Sequence, residues 1–277
     1  MTESSIDVIV PITSELKGDS QLVVLLGSPE GIRSTSKKLS TYPDVEKLRR
    51  GLFIVHGFSE SHTVPLDTKP AISFIKTREI PSFRKKTEDV YANRVYTIVS
   101  FNFKDPTAKQ KKRVERLIRK TTGVRLRPGV ILFPLFRAKE RRRIIGDDKV
   151  LIDSKEFSTL IREIGGSSIR WSRLKIGNSN GSNHIRRAVE NTLVRDLRAL
   201  EKKIRNLRER SKDTTAPIRQ LKKSYTLQSH NFRELKTKWM LAKKLWFYDA
   251  EKALKRTYNL LINTRRIITS EEFNRMK

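Results

Sequence analysis

An α+β fold is predicted by three observations. Between Arg94 and Ile176 the chain alternates strand-like and helix-like patterns in the order strand, helix, bent apolar run, helix, strand. Gly residues sit where each of those helical patterns stops. After residue 183 the pattern changes to long apolar stripes of helical period. The expected architecture is a βαββαβ central domain at 94–176, a small near-neutral α/β unit at 1–80 and a basic antiparallel helical hairpin at 184–277. Polar stretches at 81–93 and 177–183 read as linkers.

In the N-terminal unit, DVIVPI near the start is a candidate short strand. Gln21–Gly27 (QLVVLLG) is a continuous apolar run of buried-strand type. Ser28-Pro29 is a helix start, with Ser at the cap and Pro at the first position, and predicts a helix from Pro29 to about Leu39. A short turn is expected from Asp44 to Arg50. Gly51–Phe58 and Ala71–Ile75 read as further strands. RRGLFIVHGF at 49–58 also resembles LRPGVILFPLF at 126–136, so the N-terminal unit reads as a candidate degenerate copy of the central one. LLGSPEG lacks both the GxGxxG spacing and a Gly-Lys-Ser/Thr ending, which leaves it as a strand-to-helix turn rather than a phosphate loop. His56 and His62 have no carboxylate at a pairing spacing.

The central unit opens on a strand of period two. Val95, Thr97, Val99, Phe101 and Phe103 share the face expected against helices, and Tyr96, Ile98, Ser100 and Asn102 share the other. Asp105-Pro106 is expected to cap the next helix, whose apolar stripe is Val114, Leu117 and Ile118, with Gly123 ending it in left-handed geometry. Pro128-Gly129 divides Val124–Phe136 into two short strands. Asp153 and Glu156 start a second helix with Phe157, Leu160, Ile161 and Ile164 on its buried face, and Gly165-Gly166 stops it. In the last strand Ile169 and Trp171 are out of phase with Leu174 and Ile176, which predicts a bulge or a strand end near Ser172. This is the ferredoxin-like, split βαβ order.

Gly177–Asn183 reads as a flexible linker by composition. Ile185, Val189, Leu193, Leu197, Leu200, Ile204 and Leu207 then make one helical stripe. A second is Phe232, Leu235, Trp239, Ala242, Trp246, Ala253 and Leu261. The break at Thr214–Pro217 predicts two antiparallel helices, about 184–212 and 230–266, with a separate segment at 218–228 and a fraying end at SEEFNRMK. Trp239, Trp246, Phe247 and Tyr248 have the spacing of core residues, with base stacking as the alternative.

The chain has 277 residues, 60 Lys plus Arg, 30 Asp plus Glu and no Cys. Disulfides, thiolate metal sites and Cys nucleophiles are thereby excluded. No apolar run reaches the ~18–20 residues that cross a bilayer. The N-terminus has no basic segment before an apolar one, so a cytoplasmic chain is expected. The charge is uneven. Residues 1–90 hold 13 basic and 12 acidic side chains, 91–182 hold 22 and 8, and 183–277 hold 25 and 10. An excess concentrated this way calls for a polyanionic partner.

The candidate phosphate contacts follow from that concentration. In the first central helix they are Lys109, Lys111, Lys112, Arg113, Arg116, Arg119 and Lys120. Arg125 and Arg127 alternate with Val124 and Leu126 and are expected to point outward. Arg141, Arg142 and Arg143 lie in an exposed connection. The C-terminal helices contribute Arg186, Arg187, Arg195, Arg198, Lys202, Lys203, Arg205, Lys222, Lys223, Lys243 and Lys244, and Arg208 and Arg210 belong to the same excess. A solvated helix face ordinarily mixes signs, and a one-signed face repels itself until a polyanion neutralises it. No catalytic, metal or cofactor site is expected.

With its VYTIVSFNF opening and its GV-RLRPGVILFPL bend, residues 94–176 resemble the ferredoxin-like domain of the chromate-resistance regulator family. That domain is related to the effector domain of phenylacetate-operon repressors and to the small CRISPR-adaptation subunit. The likeness extends loosely into the C-terminal helices. It implies a nucleic-acid-associated or regulatory domain that self-associates through its strands as a homodimer. The CRISPR subunit places an Asp at the end of its first strand, where Asn102 stands here, and Asn is a poor Mg²⁺ anchor. The leading expectation is therefore a non-catalytic nucleic-acid-binding protein, for DNA or RNA, regulatory or architectural. A metal-dependent nuclease is the alternative, as is a scaffold in a ribonucleoprotein or membrane-surface assembly. A protein partner is expected at the neutral N-terminal unit, and no membrane contact.

Overall fold

Among the described residues, eight strands pair in one antiparallel sheet that carries helices on both faces. The structure, a computed structural model, describes residues 16, 19–57, 70–81, 91–121, 123–137, 140, 152–213, 215–246 and 251–276, without the side chains of Leu241, Lys244 and Met276. The DVIVPI strand, His62, Arg141–Arg143, Phe247 and Tyr248 lie outside the described residues.

The strands are β1 (Gln21–Leu25), β2 (Val45–Arg49), β3 (Leu52–Val55), β4 (Ala71–Lys76), β5 (Tyr96–Asn102), β6 (Val124–Arg127), β7 (Val130–Pro134) and β8 (Ser167–Ile176). The helices are α1 (Pro29–Leu39), α2 (Ala108–Arg119), α3 (Ser154–Glu163), α4 (Gly181–Arg210), α5 (Ile218–Trp246) and α6 (Glu251–Met276). The sheet order is β2-β3-β1-β4-β8-β5-β7-β6. Each half runs second, third, first, fourth strand from its outer edge, and the halves join through their fourth strands, β4 and β8. The similar stretches at 49–58 and 126–136 thus hold equivalent places, each a hairpin turn entering the third strand of its half. Both turns use a glycine at positive φ, Gly51 at 67° and Gly129 at 76°.

The expected turn at 44–50 is instead β2. Its alternate exposure hid it, since among Val45–Arg49 only Leu48 is buried. Pairing with β3 sets Glu46 near His56, at 3.4 Å, giving that histidine a carboxylate that linear spacing did not offer. Ser28 caps α1 by accepting from Gly31 N–H at 3.2 Å.

The period-two reading of β5 holds, and both faces are buried. Val99, Phe101 and Phe103 pack with Val114, Ile118, Phe157 and Ile161 of α2 and α3. Tyr96 and Ile98 join Leu22, Val24, Phe74, Trp171 and Leu174 on the opposite face, under Ile185, Val189, Trp239 and Trp246 of the C-terminal helices. QLVVL is apolar throughout for the same reason: Val23 and Leu25 meet α1 while Leu22 and Val24 meet the shared core.

The bulge in β8 is present. Tyr96 faces Leu174 and Ile98 faces Trp171, two residues against three, with Arg173 at φ 59°. A bulge bends a strand and raises its twist. The sheet is strongly curled. Four strands separate β1 from β6, about 24 Å in a flat sheet, yet Arg127 Nη1 donates to Leu25 O at 3.3 Å.

Other expectations are corrected. Thr107, not Asp105, caps α2, through a reciprocal box with Gln110; Asp105 sits at φ 46°. Gln110 Nε2 also donates to Ile164 O at 2.9 Å, tying α2 to the end of α3. Gly123 is not a left-handed cap, because α2 ends earlier at Arg119. It is required by packing, since a Cβ there would meet Ile131 at 2.6 Å. Asp153 does cap α3, accepting from Lys155 and Glu156 N–H.

Residues 177–183 are docked rather than a loose tether. The Asn178 amide completes the edge of β4, accepting from Ser73 N–H and donating to Ala71 O, both at 3.0 Å. The expected hairpin is a bundle of three helices, with α4 touching both α5 and α6. Residues 218–246 form one unbroken helix, and the second apolar stripe divides between α5 and α6. The C-terminal residues stay helical because Arg275 donates to Ala216 O and Asp213 O in the α4–α5 turn.

The Gly129 turn carries a direct test. A Cβ at this position would lie 2.8 Å from Phe101 O, on top of the positive φ. Gly129→Ala is expected to lose about 1–3 kcal/mol, read as a lower denaturation midpoint at unchanged slope. A change within experimental error would show that this turn relaxes freely.

Candidate nucleic-acid interface

The buried stripe of α2, Val114 and Ile118, points its opposite face outward. Lys109, Lys112, Arg113, Arg116, Arg119 and Lys120 lie on or beside that face, and with Lys111 all are exposed. None has an ion-pair partner among the described residues. Glu115, the one acid within α2, is engaged by Arg125 at 2.6 Å.

On α4 the core stripe is Ile185, Val189, Leu193, Leu197, Leu200, Ile204 and Leu207, as expected. Arg195, Arg198, Lys202 and Arg205 are then spaced three, four and three apart and form one exposed outward row. Asp196 lies 3.7 Å from Arg195, leaving Arg198, Lys202 and Arg205 without an ion-pair partner among the described residues. Arg187 is exposed and likewise without one.

Arg119, the last residue of α2, reaches a groove of about 150 Å³ between α4 and α5 that is also lined by Asp196, Ala199, Lys203, Asn231, Glu234 and Lys238. Arg119 of α2 and Lys203 of α4 thus share one concavity, while the other α2 cations and the Arg198, Lys202 and Arg205 row do not line it. Lys238 is neutralised there by Asp196, at 3.1 Å.

Several expected contacts are placed elsewhere. Arg125 and Arg127 do not project freely: Arg125 binds Glu115, and Arg127 is half-buried against Leu25 O. Lys222 pairs with Glu272, and Lys243 lies 3.7 Å from Glu251. Arg186 covers the Tyr91 ring at 5.6 Å. Lys223 is exposed on α5 and does not line that groove. Arg141, Arg142, Arg143 and the Lys244 side chain lie outside the described residues.

Trp239 and Trp246 are each 3 % exposed and belong to the core, so they offer no stacking surface. Arg94, also buried, donates to Leu245 O and ties β5 to the end of α5. Desolvation lowers its pKa to about 10, which leaves it charged at neutral pH. Among the described residues no group of three His, Asp or Glu could hold a metal ion, and no helix is long and apolar enough to cross a membrane.

Sequence reasoning missed Arg49 and Arg50. They line a cleft of about 720 Å³ together with Arg127, at the place where the two similar hairpin turns come together. The signal was available in the internal similarity, which sets RRG beside RPG, but their convergence depends on the curl of the sheet. No protein-family model matches the chain, and no curated protein matches it.

Proposed function

We propose that the chain is a non-catalytic nucleic-acid-binding protein, regulatory or architectural, built on two ferredoxin-like units joined edge to edge. The fold reading is supported by the strand order, which is fourth-first-third-second in each half, and by the α2 and α3 crossovers of the second half. A homodimer through the sheet would use the β2 or β6 edge, because β8 already pairs with β4 within the chain.

The functional reading rests on one observation. The cations of α2 and the Arg198, Lys202 and Arg205 row of α4 are exposed and without carboxylate partners among the described residues, and one further cation of each helix, Arg119 and Lys203, lines a common groove. A polyanion relieves their mutual repulsion and releases its own counterions, a large favourable effect at low salt. Phosphate contacts position a protein without reading bases, so weak sequence preference is expected, or preference for the shape of the nucleic acid.

The test is a filter-binding titration with single- and double-stranded DNA and RNA of mixed sequence. If on the order of six to ten phosphates are contacted, affinity falls about 10³- to 10⁵-fold between 50 and 200 mM salt. Absence of salt-sensitive binding to any of the four polymers would refute the proposal.

A further inference from the structure

A second basic feature is a cleft that shares no lining residue with the groove at Arg119 and Lys203. The curl of the sheet brings the β2–β3 turn, carrying Arg49 and Arg50, onto the β6–β7 turn, carrying Arg127. The Arg127 guanidinium lies directly over Gly51, where any Cβ would collide with Nη1. The cleft between the turns is also lined by Ser100 and Asn102 at the end of β5 and by Pro29 at the start of α1. Its volume, about 720 Å³, falls within the range of small-molecule sites.

The polar groups here are incompletely used. Arg49 Nη2 donates to Ser167 Oγ at 3.0 Å, but its Nη1 is buried with no partner among the described residues. Arg127 Nη1 donates to Leu25 O, while its Nε is buried and likewise unpartnered. The Ser100 hydroxyl, in a residue only 1 % exposed, has no partner among the described residues either. Buried polar groups are ordinarily satisfied, and three orphans around one cleft call for an explanation. Among the described residues no carboxylate lines the cleft; Glu30 and Asp105, next in sequence to lining residues, are exposed and outside it. Burial lowers the pKa of Arg49 and of Arg127, and the charge of Arg50 lowers Arg127 further, so the three guanidiniums stand there uncompensated.

We propose that the cleft between the two half-sheets is a binding site for a phosphoryl oxyanion, held by Arg49, Arg50 and Arg127 with the Ser100 hydroxyl as a further donor. Planar guanidiniums bind phosphoryl oxygens by paired N–H donors. An anion supplies acceptors that the carbonyls of Leu25 and Pro29, each taking a single guanidinium bond, do not provide in full. Two sources share this chemistry, a free phosphorylated small molecule and one phosphate of a polynucleotide.

The experiment is isothermal titration of the full chain with inorganic phosphate and with pyrophosphate, beside Arg50→Gln and Arg127→Gln. Arg50 is exposed, so its substitution is not expected to disturb folding, which a thermal melt checks. Saturable binding is expected, weakened about tenfold or more by each substitution. A mixed-sequence oligonucleotide titration then separates the sources. If Arg50→Gln weakens the oligonucleotide as well and pyrophosphate displaces it, the site serves the polymer. If oligonucleotide affinity is unchanged, the cleft takes a small effector. No saturable binding of either anion at about millimolar concentration, or equal binding by wild type and both variants, overturns the proposal whatever the outcome with nucleic acid.

Discussion

Replacing Lys112, Arg116, Lys202 and Arg205 together with Gln is expected to lower nucleic-acid affinity about 10³-fold or more near 100 mM salt. Each lost phosphate contact also removes about 0.9 from the slope of log K against log salt on duplex DNA, or about 0.7 on a single strand. Two come from the exposed face of α2 and two from the exposed row of α4. All four are exposed, and none has an ion-pair partner among the described residues. Their loss therefore breaks no internal contact, and stability should change by no more than about 0.5 kcal/mol per site. The control neutralises Lys37, Lys38 and Lys47, which are exposed on the N-terminal half. If only total charge mattered, this control would approach the quadruple variant, and the cations of α2 and α4 would lose their standing as the contacts. A filter-binding series at four salt concentrations measures both affinity and slope.

The second large effect is on folding. Trp246→Ala should destabilise the chain by about 3–5 kcal/mol, within the range for truncating a buried Trp. Trp246 lies where the helical bundle meets the sheet. Its ring stacks on Tyr96, with centroids 6.2 Å apart and planes at 15°, and its carbonyl accepts from Tyr91 O–H at 2.6 Å. It is 3 % exposed, in the same core cluster as Leu22 of the first half and Ile98 of the second. Both half-sheets and the bundle share that cluster, so urea unfolding followed by far-ultraviolet circular dichroism and by tryptophan fluorescence should remain one coincident transition. Trp246→Phe keeps an aromatic ring and should recover part of the loss. Two separated transitions, or a loss below about 1 kcal/mol, would mean that bundle and sheet are energetically independent.

Local chemistry was legible where residues act on near neighbours. The start of α1 follows from Ser28-Pro29, the cap of α3 from Asp153, the buried stripe of α4 from its spacing, and the bulge in β8 from the phase change between Trp171 and Leu174. The identity of the exposed cations on α2 and α4 was readable for the same reason: a helix with a narrow apolar stripe leaves its remaining positions to solvent. Two caps were misread locally, Asp105 in place of Thr107 and Gly123 beyond the end of α2, but the larger misreadings share a tertiary cause. β2 looked like a turn because only Leu48 of its five residues is buried, and only β3 beside it makes it a strand. Gly177–Asn183 looked flexible because small polar residues ordinarily are, until Asn178 found the open edge of β4.

From the sequence alone come most of the element types, the caps at Ser28 and Asp153, the two faces of β5 and the concentration of positive charge beyond residue 90. Only the tertiary structure decided that two half-sheets join through β4 and β8, that the bundle covers their common face, and that Arg49, Arg50 and Arg127 share a cleft. Periodicity reports which side of an element is buried but carries no information about which distant element buries it. That choice is made by strand pairing and sheet curvature, between residues as far apart in the chain as Leu25 and Arg127.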